Sequence, residues 1–211
     1  MTKRIALIDS IGCIFNIRLW MNECLAMSNH IRGDSLIKKE FEQLTAPRFI
    51  DNYVGSIHPT PSSDKAVLNG LLRQRSPAGI YLVEGAKQAL ETIVASGITP
   101  IVVIPAGYTY NKLRLQCISR GLQCLTQPYR HASRKYAEYV LSDEGNYAIE
   151  FIIDDSRLTA TSLKDKGHPA ILLNMPWNSG DCTAPRISSW SSITEILESE
   201  SYGTTKSDTS V

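Results

Sequence analysis

The sequence predicts an α/β protein built on a doubly wound parallel sheet, and three observations predict it. Its apolar runs are short and unbroken rather than alternating, as in strands covered on both faces. Segments with apolar residues at helical spacing lie between those runs, which is the order a parallel sheet requires. Glycines fall where the helices should stop, and prolines stand at the edges of the strands.

Taken in order, RIALID (residues 4–9) is the first strand and ends on Asp9. Residues 14–80 interrupt the alternation with helical segments such as RLWMNECLAMSN and no convincing buried strand. They read as a small helical cap inserted directly after that strand. The α/β core is then residues 1–13 together with 81–198. A cap at this point sits above the carboxyl ends of the strands, where doubly wound proteins bind ligands, and could close as a lid. GAKQALETIVASG (85–97) is a helix stopped by Gly97, and TPIVVIPA (99–106) is the second core strand. YNKLRLQCISRG (110–121) is a helix stopped by Gly121, followed by a strand in LQCLTQ (122–127). SRKYAEYVLSDEG (133–145) reads as a helix, IEFIIDD (149–155) as the fourth strand and PAILLNM (169–175) as the last. SITEILESE (192–200) supplies a closing helix, and the small polar residues 199–211 read as a disordered tail.

A formal net charge of +1 gives no basic surface for extended nucleic acid or anionic membrane. No apolar run approaches the roughly 18 residues that span a bilayer, and the opening residues lack the long apolar region of a signal peptide. Five cysteines without a C-x-x-C pair argue against a disulfide framework and for a reducing, cytoplasmic setting. A small molecule is the default ligand, with a homo-oligomer or a partner protein left open.

The chemistry lies in the acids. Asp9 closes the first strand, and Asp154 with Asp155 close the fourth. In a parallel sheet all strand carboxyl ends share one edge, so the three carboxylates can converge. Converging carboxylates repel one another unless a cation sits among them, and a hard, oxygen-ligated ion such as Mg²⁺ suits them. The alternative is that Asp154 or Asp155 merely caps the helix beginning near Arg157. Lys135, at the start of the helix 133–145 and flanked by Arg130 and Arg134, could hold an anion beside that helix N-terminus, or could be a solvated surface lysine. The histidines, among them His58, His131 and His168, are isolated, which disfavours zinc. No phosphate-loop, dinucleotide or serine-hydrolase motif is present.

Together these residues resemble the haloacid dehalogenase superfamily of aspartate-nucleophile phosphotransferases, and within it the 5'(3')-deoxyribonucleotidase family. IALIDSIGCIFN is similar to that family's opening motif, with Asp9 at the nucleophile, Gly12 at its glycine and a helical cap following. YLVEGAKQALETIVASGITPIVVIPA resembles the stretch that delivers its second core strand, and IEFIIDDSRLTA its acidic fourth motif. ILLNMPWN and RISSWSSITEIL resemble its closing strand and final helix. The likeness covers most of residues 4–198 and is loosest in the cap.

The resemblance implies that Asp9 attacks phosphorus and forms an aspartyl-phosphate. It also implies that Asp9, Asp154 and the backbone carbonyl of Ile11 bind Mg²⁺ with support from Asp155, and that Lys135 and the Gly12 turn hold phosphate. The implied substrate is a small phosphorylated molecule such as a deoxynucleoside monophosphate; Trp20, Phe49, Tyr53 and His58 of the cap are candidate contacts and equally candidate core residues. Two positions depart from the family's pattern. Its second acid is Ile11 here, and the threonine at the end of its second strand is Pro105, followed by Ala106. Ile11 can neither protonate a leaving group nor activate water, functions worth about 10²- to 10⁴-fold in rate, and Pro105 offers neither hydroxyl nor N–H. The expectation is therefore a Mg²⁺-dependent phosphomonoester hydrolase fold with impaired or altered catalysis. The alternatives are a catalytically silent nucleotide- or protein-binding module, and a hydrolase whose leaving group needs no acid.

Overall fold

The computed structural model describes residues 2–16, 80–106, 108–130, 135–140, 147–175 and 178–198. Most of the predicted cap (14–80), with Trp20, Phe49, Tyr53 and His58, lies outside the described residues, as do Arg134, His131 and the tail 199–211.

Six parallel strands form the sheet: β1 (Lys3–Asp9), β4 (Thr99–Pro105), β5 (Leu125–Tyr129), β6 (Tyr147–Asp154), β7 (Ala170–Leu173) and β8 (Arg186–Ile187). Their order is β5-β4-β1-β6-β7-β8. A short antiparallel pair, β2 (Phe15–Asn16) and β3 (Tyr81–Leu82), joins the two edges of the predicted cap, so the core takes in Ile14, Phe15 and Ile80 as buried residues. The helices are α1 (Ala86–Ala95), α2 (Tyr108–Ser119), α3 (Ala137–Val140), α4 (Arg157–Asp165) and α5 (Ile193–Glu198), with a 3₁₀ turn at Trp190–Ser192.

β1 lies at the centre because both of its faces are apolar, and Ile5–Asp9 are all buried. Ala6 and Ile8 pack with Leu90 and Ile93 of α1, Leu113 of α2, and Ile193 of α5. Ile5 and Leu7 pack on the other face with Tyr136, Val103 and Ile152, against which Val140 of α3 and Leu163 of α4 lie. Alternate side chains thus serve two different layers, as a strand between helices must.

The course of the chain positions the site. From β1 it moves outward through β4 to β5, then returns across the sheet to place β6 on the other side of β1. The strand order therefore reverses between β1 and β6, and the carboxyl ends flanking such a point form a ligand crevice. A register shift between Ile5 and Ala6 moves their β6 partners from Ile149 to Phe151 and leaves Glu150 as the extra residue. Carried forward from the pair Ile8 and Ile153, this register sets Asp9 beside Asp154 rather than beside an isoleucine.

Candidate active site

Asp9 and Asp154 end adjacent buried strands and are 4% and 0% exposed. With Asp155 they form a cluster in which one oxygen from each carboxylate lies within 4.8 Å of the others. The three acids predicted to converge do so. The capping role left open for the aspartates falls to Ser156, whose hydroxyl accepts the Thr159 N–H at 3.3 Å. Arg157 donates instead to the Ser179 carbonyl, at 3.3 Å.

Lys135 reaches the same point. Its Nζ lies 2.6 Å from Asp9 Oδ2 and 3.1 Å from Asp154 Oδ2, with little of the side chain exposed. It also stands over the rings of Tyr129 and Tyr136, at 5.5 and 5.6 Å from their centroids. The predicted helix 133–145 is observed only as the four residues of α3, which begin at Ala137, so Lys135 precedes it. The lysine is held by the two carboxylates, not by a helix dipole. Arg130 is exposed just beyond β5.

Asp154 is bonded through both of its oxygens. Its Oδ2 accepts from Lys135 and from the Tyr136 hydroxyl at 2.7 Å, and its Oδ1 accepts the Ser156 amide at 2.7 Å. Asp9 has Lys135 on Oδ2, while its Oδ1 is buried with no hydrogen-bond partner among the described residues. Burial pushes the Asp9 carboxyl up to about 6, against the pull of Lys135 and with the push of Asp154. The same carboxylates hold Lys135 well above the ordinary lysine range although burial opposes this. Burial raises the Tyr136 hydroxyl and the Cys13 thiol, with the neighbouring acids adding to both shifts.

The turn after β1 is closed by backbone bonds from Ile14 and Phe15 to the Ser10 carbonyl, and from Gly12 to the Phe15 carbonyl. Gly12 sits at φ +91°, and a Cβ there would fall on the Asp155 carboxylate. Glycine is required twice over, by conformation and by the approach of that acid. Ile11 bridges to Phe15 and packs partly buried against the core. Pro105 ends β4 beside Tyr129, and the Ala106 amide is taken by the Tyr129 carbonyl at 2.7 Å.

Two anchors lie within the stretches that resemble the family's closing strand and final helix but are not among the predicted site residues. Asn178 donates to the carbonyls of Asp155 and Leu173 at 2.8 and 2.7 Å, and its Oδ1 accepts the Met175 amide at 3.0 Å. The Trp190 indole donates to the Cys13 carbonyl at 2.8 Å. Tyr136 was missed as well, its only cue being its place next to Lys135. Ser156 could have been found as a serine standing directly before a helix.

The donor set suits a hard divalent cation. Lys135 bridges two of the three clustered carboxylates, and the buried Asp9 Oδ1, which has no hydrogen-bond partner among the described residues, calls for a positive partner or a donor. Oxygen ligands without histidine or thiolate match Mg²⁺ in kind.

No protein-family model and no curated protein matches the chain. Solved structures do. A HAD-superfamily hydrolase, subfamily IA, variant 1, from Geobacter sulfurreducens PCA is 16% identical with a TM-score of 0.63, over 93% of this chain and 96% of that one. A protein described as the HAD-hydrolase YfnB from Bacillus subtilis, bound to magnesium, is 14% identical with a TM-score of 0.66, over 94% of this chain and 100% of that one. A HAD family hydrolase from Deinococcus radiodurans R1, with bound phosphate and sodium, is 15% identical with a TM-score of 0.62, over 92% and 94%. With its parallel six-stranded sheet and its acids at the switch point, the chain has the α/β fold of the haloacid dehalogenase-superfamily hydrolases.

Proposed function

We propose that the protein is a Mg²⁺-dependent phosphomonoester hydrolase in which Asp9 is the nucleophile and a nucleoside monophosphate, foremost a deoxynucleotide, is the substrate. The observation that carries this reading is the placement of Lys135 Nζ 2.6 Å from Asp9 Oδ2, with the other Asp9 oxygen buried and without a hydrogen-bond partner among the described residues. In this reading an Asp9 oxygen attacks phosphorus, the bond from phosphorus to the leaving oxygen breaks, and the aspartyl-phosphate is then hydrolysed by water. Lys135 holds the phosphoryl oxygens against the nucleophile as a point charge. Gly12 keeps the turn open to Asp155. Asp9, Asp154, Asp155 and the Ile11 carbonyl would hold Mg²⁺, which when bound supplies charge neutralisation at the acids and at the phosphoryl oxygens. The inserted segment 14–80 is the proposed cap that selects the substrate, in a cytoplasmic protein. The magnesium of the Bacillus structure and the phosphate of the Deinococcus structure support the same class of ligand here.

A second reading is favoured by Ile11 and Pro105: a catalytically silent module that binds a nucleotide or a protein. Ile11 turns an aliphatic side chain to the core, and Pro105 has no hydroxyl to offer. Purified full-length chain with Mg²⁺ and a deoxynucleotide panel separates the two. The enzyme releases phosphate, and Asp9→Asn abolishes the release. Release that is indifferent to Asp9→Asn, or no release together with no phosphate or beryllofluoride trapped at Asp9, leaves only the silent module.

A further inference from the structure

We propose that Tyr136 is a positioning residue that sets the metal affinity of the Asp9–Asp154 pair by deciding which oxygen of Asp154 is offered to a cation. The inference rests on the metal-site reading above and adds to it a residue outside the acids and the lysine.

Both side-chain donors that reach Asp154 converge on a single oxygen, Oδ2: the Tyr136 hydroxyl at 2.7 Å and Lys135 at 3.1 Å. Oδ1 accepts one backbone amide, from Ser156 at 2.7 Å, and keeps acceptor capacity. On Asp9 the side-chain donor is likewise on Oδ2, from Lys135, and Oδ1 has no hydrogen-bond partner among the described residues. Each buried carboxylate therefore has one oxygen committed to side-chain donors, while the other, bonded only to the Ser156 amide on Asp154, keeps acceptor capacity for a ligand. A carboxylate's terminal torsion is broad and nearly two-fold, so this distinction must be imposed from outside.

On Asp154 the shorter of the two imposing bonds is that of Tyr136. Lys135 cannot substitute for it, because its ammonium is shared with Asp9 and is the group that a phosphoryl ligand would draw away. The phenol is fixed in turn: Tyr136 is 3% exposed and packs with Ile5, Leu7, Ile101, Val103 and Ile152. Its hydroxyl reaches from this apolar layer to the acids, and its ring keeps the layer packed whether or not the bond is made. Groups that hold a metal ligand from behind change metal affinity by about 10- to 100-fold when removed.

The test is a titration of the full chain with Mn²⁺, followed by electron paramagnetic resonance, and with Mg²⁺ by calorimetry, neither of which requires turnover. Tyr136→Phe keeps the ring and should weaken both affinities at least about tenfold. Tyr110→Phe, which removes a phenol bonded to the Thr126 carbonyl at 3.3 Å on another part of the sheet, should leave them unchanged. Replacement of Tyr136 by 4-aminophenylalanine restores a donor in the same place and should recover most of the loss, whereas 4-methylphenylalanine should not. The pair keeps the test decisive if the phenylalanine variant folds poorly. Equal affinity in wild type and Tyr136→Phe overturns the proposal while leaving the metal site intact. Equal weakening by the amino and methyl replacements also overturns it, since the ring's packing is then what matters. No binding by the wild type at millimolar metal overturns the metal-site reading itself and the proposal with it.

Discussion

The indole of Trp190 donates to the carbonyl of Cys13 at 2.8 Å and joins the last turn of the core to the loop that follows Asp9. The ring is 1% exposed, and its Cβ lies close to Gly85, the residue before α1. One side chain thus braces the loop after Asp9 against the start of α1. It couples the packing of the C-terminal elements to the geometry of the acids.

Trp190→Phe should therefore act on stability and on the site together. The Cys13 carbonyl would be left buried without its donor, which costs about 1–3 kcal/mol, and the smaller ring would leave part of the indole's volume unfilled. The expected result in urea unfolding is a loss of at least about 2 kcal/mol. Binding of Mg²⁺, measured on the folded variant, should weaken as well. A loss below about 0.5 kcal/mol would show that the bond does not brace the loop.

Gly12→Ala separates two demands on one residue. A Cβ at Gly12 meets the Asp155 carboxylate, and the backbone sits at φ +91°. Strain from such a conformation is about 1–3 kcal/mol, and displacement of Asp155 should add a loss of metal affinity. In an Asp155→Ala background the collision disappears and the strain remains. The substitution should then cost no more than that strain, with no further effect on metal binding. An identical cost in both backgrounds would remove Asp155 from the account of why glycine stands there.

Much of this was legible in the sequence, for reasons that particular residues show. Ile5–Ile8 and Ala170–Leu173 are continuous apolar runs because helices or neighbouring elements cover both faces. Gly97 and Gly121 end helices at positive φ, as their places predict. The strand expected in residues 122–127 lies instead at Leu125–Tyr129. There the apolar signal misled: Leu122 is buried beyond the end of α2, whereas the edge strand itself is half exposed, with Leu125 51% accessible. The strands β2, β3 and β8 are two residues each and too short for any period. The acids could be placed because strand ends share an edge. The bonds of Tyr136, Asn178 and Trp190 to the site could not, because each runs from an otherwise ordinary packing position to a partner distant in sequence or outside any motif.

Asp9 gives the site a pH dependence whose sign follows from its carboxyl standing at about 6 when folded against an ordinary 3.8. A carboxyl raised in the folded state contributes stability that is full below its unfolded value and is lost as the pH rises through the folded one. The metal-free protein should lose this contribution between about pH 4 and 6. A divalent cation prefers the ionised carboxylate, so it competes with the proton and offsets the loss. The rise in melting temperature produced by saturating Mg²⁺ should be larger at about pH 7.5 than at about pH 5. Lys135→Met should enlarge the deficit of the metal-free protein at the higher pH, since it removes the charge that holds Asp9 down. Equal Mg²⁺ shifts at the two pH values would place Asp9 outside the metal site.

The pair Ile11 and Pro105 decides between a hydrolase and a silent relative. Ile11 follows Asp9 by two residues, bridges to Phe15 and packs partly buried on the core, so an aspartate there would enter the loop that follows Asp9. Pro105 ends the strand next to β1, where a threonine would add a hydroxyl while the neighbouring Ala106 amide keeps its bond to Tyr129. If the proton transfer and the hydroxyl are what the chain lacks, Ile11→Asp with Pro105→Thr should raise phosphate release from an alkyl phosphate by about 10²-fold or more. The gain should be smaller with an aryl phosphate, whose leaving group departs without a proton. Both gains should vanish with Asp9→Asn. A double variant that folds, binds Mg²⁺ as the wild type does and gains nothing on either substrate would mean that the limitation lies elsewhere than in these two residues.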